Sequence, residues 1–451
     1  MKTLNILTAI ILVTLTLQAG EYEIKFDGMR YIGTVEKTFP VKDGGRLDMR
    51  DIKGDVSIIC EARNDVYIIE KFRINAYSES SAEKILQESK ARYLQKGNAI
   101  IVESIDNSKR YDSDYYVKVP IRFDLNVNAS GGDIDVEAAR GDVELSTSGG
   151  DIEVVDVEGK LDVQTSGGDI TLRRYTGNFS VVTSGGDIEI SKVKGDAYIK
   201  TSGGDITVDD LAGAGEIKTS GGDININLLT GAKFVVRTSG GDIGADRVSA
   251  NVSLHTSGGD IIVGDVNGEL EMHTSGGDIE IKNAQKNLDA STSGGDIEVE
   301  MVAGNGKLYT SGGNIDVDRA MQDIEAHTSG GDILISNAIG AIDAYTSGGN
   351  IEAVKRYQKD VSNNSVALSS SGGDVVLFLP DEIKADVFAE IVIHDRWDEG
   401  VISSDFPLKI SRSEKGSRLI LTGEGRINGG GDKIVLKTSD GDIKIRRMLA
   451  E

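Results

Sequence analysis

Residues 147–164 read TSGGDIEVVDVEGKLDVQ, and residues 165–182 read TSGGDITLRRYTGNFSVV. Both stretches open on the same hexapeptide and then repeat the same apolar spacing. With Thr counted as position 1, apolar side chains fall at positions 6, 8, 11, 15 and 17, and Gly recurs near 13: Ile170, Leu172, Tyr175, Phe179, Val181 and Gly177 in the second copy. Positions 6 and 8, and again 15 and 17, alternate with a period of two, as short strands with one buried face do. A helix would need apolar residues three and four apart and would not carry Gly-Gly once per repeat.

Outward from these two copies, Ser-Gly-Gly starts at Ser130, Ser148, Ser166, Ser184, Ser202, Ser220, Ser239, Ser257, Ser275, Ser293, Ser311, Ser329, Ser347 and Ser371. Eleven of the thirteen intervals span eighteen positions, one spans nineteen and one twenty-four, so the unit is a structural repeat too short to fold alone. The pattern predicts an all-β chain: a parallel β-solenoid of about 14 coils, each supplying about two short strands. The extra residue of the 19-residue interval is expected to bulge at Lys233 or Phe234. The 24-residue interval places a loop at about Arg356 to Ser365.

The flanks read differently. Residues 1–20 have a Lys2 start, an apolar run from Leu4 to Leu17, and small Ala19 and Gly20, the pattern of an export signal. Residues 21–128 read as a small mixed α/β cap, with strands at 47–58, 66–74, 99–105 and 116–127 and a helix at 78–93 begun by Ser78, Ser80 or Ser81. Residues 129–379 hold the repeats. Residues 380–451 read as a β-rich closing region whose worn copy, Thr438-Ser439-Asp440-Gly441-Asp442-Ile443, nearly ends the chain. A cap at each end would cover strand edges that otherwise pair with other chains.

The formal net charge of −24 argues against nucleic acid and anionic membranes as partners, since both need basic surface. Beyond Gly20 no segment is apolar enough to span a bilayer as a helix. Cys60 is the only cysteine, so no intramolecular disulfide forms, and it reads as a small buried hydrophobe.

Two columns could carry chemistry. The first is the fifth position: Asp133, Asp151, Asp169, Asp187, Asp205, Asp223, Asp242, Asp260, Asp278, Asp296, Asn314, Asp332, Asn350 and Asp374. Stacked carboxylates would suit a cation ladder. Alternatively, each side chain closes its own turn by accepting a backbone N–H. Asparagine at two places keeps such a bond and discards the charge, which favours the structural turn. Calcium is left open as a ligand, and no cofactor is indicated. The G-G-x-G-x-D calcium repeats are nine residues long, and here the second half-repeat shows no acidic turn. The second column is position 18, facing outward: Lys200, Lys218, Arg237, His255 and His273, with Tyr309, His327 and Tyr345 further on. It could meet an anionic glycan, or hold a metal between His255 and His273. Two stacked histidines without a third ligand read as solvated face before they read as a metal site. The position-1 threonines fall in phase with 15 and 17 and are expected to point inward and bond to neighbouring coils.

No rung stands out as catalytic. The carboxylates are spread evenly, and G-x-S-x-G, H-E-x-x-H and a P-loop are all absent. Trp397, beside His394, Asp395, Arg396 and Asp398, reads as a structural residue of the cap.

The segments Val117-Lys118-Val119-Pro120 and Leu125-Asn126-Val127, the tandem S-G-G-D-I repeats, Leu377-Phe378-Leu379-Pro380 and Gly429-Gly430-Gly431 resemble a bacterial exported putative-adhesin family of unknown function, over about residues 40 to 446. The resemblance implies an extracytoplasmic parallel β-solenoid and supplies no catalytic residues. The expected role is a non-enzymatic adhesin or cell-envelope scaffold, periplasmic, cell-surface or secreted, whose partner is an envelope protein or a glycan. A carbohydrate-active β-helix enzyme and a calcium-stabilised repeat protein are the alternatives.

Overall fold

A computed structural model describes residues 23–105, 110–358, 361–394, 400–416 and 418–448. The expected export signal at 1–20 and residues 395–398, Trp397 included, lie outside the described residues. The chain forms two compact units, residues 1–204 and 205–451. Nearly every described element is a strand, with a single helix, Glu79–Ser89.

In the first unit the repeats pair in parallel, each residue with its equivalent one repeat further on. Ile134 pairs with Ile152, Ile152 with Ile170 and Ile170 with Ile188 in one ladder. Val143, Leu161, Phe179 and Ala197 follow one another in another. All of these side chains are buried. A third ladder was not expected: Tyr175 pairs with Val193 and Thr176 with Lys194, because the chain turns after position 9 and resumes pairing at position 11. The turn uses residues of positive φ at position 10, namely Asp156, Arg174 and Lys192.

The same pairing extends upstream of residue 129. Gly45–Ile52 pairs in parallel with Phe123–Ala129, and Val56–Glu61 with Ile134–Glu137. The expected strand 47–58 is therefore two strands meeting at a corner, where a Cβ on Gly54 would lie 2.1 Å from the Ser113 carbonyl oxygen. Between these rungs Asp65–Ile74 pairs antiparallel with Tyr31–Pro40 and with Tyr111–Pro120. The helix packs Ala82, Ile85 and Leu86 against Val35, Phe72, Ile74 and Tyr111. Ser78 caps it by accepting the Ser81 N–H at 3.3 Å. It ends before Tyr93, which lies in the strand Arg92–Lys96, because Lys90 is already extended at ψ 141°. The Tyr93 hydroxyl turns inward to the buried Glu70 carboxylate, which also accepts from Tyr111 at 2.6 Å and Tyr115 at 3.2 Å. A buried polar group demands such partners. Cys60 is buried, and desolvation pushes its thiol up to about 12.

In the second unit the ladders run from Ile206–Val208 and Leu211–Lys218 onward, again with each residue paired to its equivalent in the next repeat. The 19-residue interval shifts register between Thr230 and Lys233. Lys233 is exposed there, whereas Phe234 is fully buried, correcting the expectation that either could bulge. An aromatic ring at an inward position costs too much to expose. The 24-residue interval is a loop between Ile351–Lys355 and Val366–Ser370, and Lys355 is buried beneath it. Its ammonium donates to the carbonyls of Ile339 and Arg356 and to Asn364 Oδ1 at 3.0 Å. The worn copy forms a further rung: Val366–Ser370 pairs with Asp432–Ser439, and Val375–Leu379 with Ile443–Arg447, while Ala385–Ile393 and Ile402–Ser404 pair in parallel on its far side.

The hexapeptide joins rung to rung. The position-1 threonines are buried, and they donate to the second glycine's carbonyl of the preceding repeat, as Thr183 does to Gly168 at 3.0 Å and Thr274 to Gly259 at 2.8 Å. The aspartate acts differently from the expected closure of its own turn. Asp151 Oδ1 accepts the N–H of Asp169, and Asp278 Oδ1 that of Asp296, both at 2.8 Å and both one repeat away. With successive turns stacked in register, the nearest unpaired N–H belongs to the next turn.

Candidate functional site

Three outward columns, at positions 14, 16 and 18, cover one sheet face. Position 14 precedes the strand and forms a second side-chain ladder. Asp124 Oδ1 accepts the Asp142 N–H at 3.0 Å and Asn178 Oδ1 that of Asp196 at 3.1 Å in the first unit. In the second unit Asn251 Oδ1 accepts the Glu269 N–H at 3.0 Å, Asn287 that of Asn305 at 2.9 Å, and Asp323 that of Ala341 at 2.8 Å. The second half-repeat thus has a polar turn after all. It is hidden in sequence because Lys160, Ala214 and Ala341 interrupt the column.

Surface depressions follow positions 14 and 16. In the first unit one of about 620 Å³ lies among Lys160, Asp162, Asn178, Ser180, Asp196 and Tyr198. In the second unit one of about 550 Å³ runs from Lys233 to Lys307, with Glu269, Glu271, Asn287 and Asp289 along its walls. Its floor is the chain at Val252, Leu270 and Leu288, whose side chains are buried on the other side.

Of the position-18 residues, Arg237, His255 and His273 belong to the rungs that line this second depression. Lys200 ends a strand of the first unit. In the second unit Lys218, Arg237, His255 and His273 are neighbours in successive rungs. They do not form a bare basic strip. Arg237 lies 3.5 Å from Glu216, and Glu271 stands beside His255 through Ser253. Burial, then Arg237, pushes the His255 imidazole below its ordinary value; Glu271 opposes this and His273 adds to it.

The His255 and His273 ring centroids are 6.3 Å apart, but each ring has a serine as its polar partner: Ser253 at 2.7 Å and Ser291 at 2.9 Å. Among the described residues no group of three or more His, Cys, Asp or Glu is placed to hold a metal ion. Ser253 contacts both His255 and Glu271, so the serine stands in the middle, donating to Glu271 at 2.9 Å. An activated serine needs the imidazole between hydroxyl and carboxylate. Further along, Tyr309, His327 and Tyr345 stack edge to face, with centroids 5.3 and 6.1 Å apart.

The fifth-position side chains sit in the exposed or half-buried turns, away from the groove. Asp133, Asp151, Asp169 and Asp187 belong to the first unit. Asp205, Asp223, Asp242, Asp260, Asp278, Asp296, Asn314, Asp332, Asn350 and Asp374 belong to the second. Asn314 Oδ1 accepts the Asp332 N–H at 2.8 Å just as an aspartate does. The ladder continues past the repeats, with Asp442 N–H donating to Asp374 at 2.9 Å and Val401 N–H to Asp442 at 2.8 Å. Position 16 went unremarked in sequence because its residues vary from rung to rung; only their placement opposite position 14 reveals a wall.

Among the described residues no helix is long and apolar enough to cross a membrane. No curated protein matches the chain. Solved structures that resemble it include a putative adhesin from Bacteroides fragilis, at 18% identity and TM-score 0.30 over 49% of this chain and 96% of that one. Another is a putative adhesin from Parabacteroides distasonis, at 13% identity and TM-score 0.22 over 69% and 96%. A putative lipid binding protein from the same species aligns at 11% identity and TM-score 0.20 over 74% and 98%. Likeness at this level carries no function across. The Toastrack DUF4097 family model matches residues 58–245, 158–269, 211–323 and 265–446, so successive matches overlap along most of the sequence. The chain belongs to the Toastrack DUF4097 family.

Proposed function

We propose that the protein is an exported, non-enzymatic adhesin or scaffold of the cell envelope. In this reading residues 129–379 form a parallel β-solenoid of about 14 coils with an 18-residue period, between a cap at 21–128 and a closing region at 380–451. The observation that carries the reading is the distribution of polar side chains. They form long outward columns, and among the described residues no three His, Cys, Asp or Glu side chains gather to hold a metal ion. Weak contacts repeated along such columns add through effective concentration, which suits holding an extended partner more than transforming a small one. The partner is an envelope protein or glycan, and the apolar run at 4–17 supports export.

Cell fractionation with an antibody to the mature chain, followed by incubation of purified protein with envelope fractions, tests the proposal. The expected outcome is an extracytoplasmic protein shortened by its leader and retained on envelopes. A cytoplasmic, full-length protein, or one that washes off envelopes entirely, defeats it.

A further inference from the structure

We propose that the groove between positions 14 and 16 of the second unit, from Lys233 to Lys307, binds a linear polysaccharide of amino-bearing sugars laid along the repeat direction. This rests on reading the protein as a surface binder and names the chemistry of what it holds. Three features of the groove point there. First, its length crosses successive rungs, each ~4.8 Å from the next, close to the length of one pyranose unit, so each rung can meet one sugar.

Second, its polar groups are held in place before any ligand arrives. The carbonyl oxygens of Asn251 and Asn287 are engaged by the N–H groups of Glu269 and Asn305, at 3.0 and 2.9 Å, which fixes each exposed amide, whose N–H₂ is a donor group. Ser253 holds Glu271 at 2.9 Å. Side chains already ordered lose little entropy on binding, and paired amide and carboxylate groups match vicinal hydroxyls. Third, the charge is arranged by position. The exposed carboxylates of Glu269, Glu271 and Asp289 occupy the middle, and the lysines stand only at the two ends. The middle therefore favours an ammonium and repels an acidic polymer. A peptide fits poorly, because the rungs are already paired on both sides and leave no free strand edge to add to.

The test is calorimetric titration of the mature full-length protein with chitosan hexamer, cellohexaose and hexagalacturonate. The expected order is chitosan hexamer tightest, cellohexaose weaker and hexagalacturonate absent. Asp289→Lys should weaken the chitosan hexamer about tenfold or more, and Asp289→Asn by less. Glu280→Lys, the same charge change on the sheet of positions 6–9, should leave binding unchanged. Equal weakening by Asp289→Lys and Glu280→Lys would mean general attraction to an acidic protein and would overturn the site. Binding of hexagalacturonate at or above the level of the chitosan hexamer would overturn the ligand class. If none of the three binds while envelope retention persists, this inference fails and the adhesive reading survives.

Discussion

Neighbouring glycines in one turn answer to different constraints. A Cβ on Gly168 would lie 2.0 Å from the Gly150 carbonyl oxygen of the rung before, whereas one on Gly167 would be 3.8 Å from its nearest neighbour. Close stacking, not backbone dihedral, therefore excludes a side chain at the second glycine. Gly168→Ala should cost on the order of 3 kcal/mol by forcing two rungs apart, while Gly167→Ala should cost under about 1 kcal/mol; urea midpoints of the two variants measure the contrast. The aspartate column makes a matching prediction. Asp278 accepts the Asp296 N–H, so Asp278→Ala should cost about 1 kcal/mol. Asp278→Asn should cost nothing measurable, since Asn314 and Asn350 already serve in that role with bonds of 2.8 and 2.9 Å. That an amide can stand in the column was legible from those two asparagines, which accept the same N–H as the aspartates. The direction of the bond was not, because spacing alone does not say which N–H lies nearer once turns are stacked.

At the scale of elements, the insertion after Ile351–Lys355 places a lysine where the preceding rung has Ala338. Burial pushes the Lys355 ammonium down to about 8, with Asp323 and Asp432 opposing. Because the folded value lies below the 10.5 of the free side chain, the folded state releases this proton first. The stabilising contribution is complete above 10.5 and is lost as pH falls through about 8. Denaturant midpoints across this window, compared with Lys355→Met, should show an upward slope present only in the wild type; parallel profiles would refute it. The insertion was legible as an interval of 24, but the buried lysine was not, since nothing in the run Val354-Lys355-Arg356 distinguishes inward from outward. The helix was legible from Ala82, Ile85 and Leu86, yet its end was misplaced because Tyr93 keeps helical spacing while its hydroxyl is drawn to Glu70 from a strand. The groove was the least legible element. Its walls are made of residues that alternate among Asn, Glu, Asp, Ser and Lys, and it emerges only when rungs are set in register.

At the scale of the molecule, the period was readable from one column, but the way each end is closed was not. In each unit one rung is separated from its partner by a long excursion: Asp133 N–H meets Asp55 across 78 residues, and Asp442 N–H meets Asp374 across 68. Worn copies such as Gly54-Asp55 and Gly441-Asp442 are all that mark those rungs in sequence. If each rung contacts chiefly its neighbours, stability is close to a sum of rung and interface contributions, and a whole repeat is removable. Deleting residues 310–327, one full period whose removal joins Tyr309 to Thr328, should preserve every column and leave a cooperatively unfolding β-rich protein of nearly unchanged urea midpoint. Deleting residues 310–326 removes one residue fewer and throws the following strands out of phase, so buried Ile333 and Ile335 would trade faces with exposed Leu334. That variant should aggregate or lose its cooperative transition, as read by circular dichroism and urea titration. Equal damage from the two deletions would show that the 18-residue register does not hold the fold together.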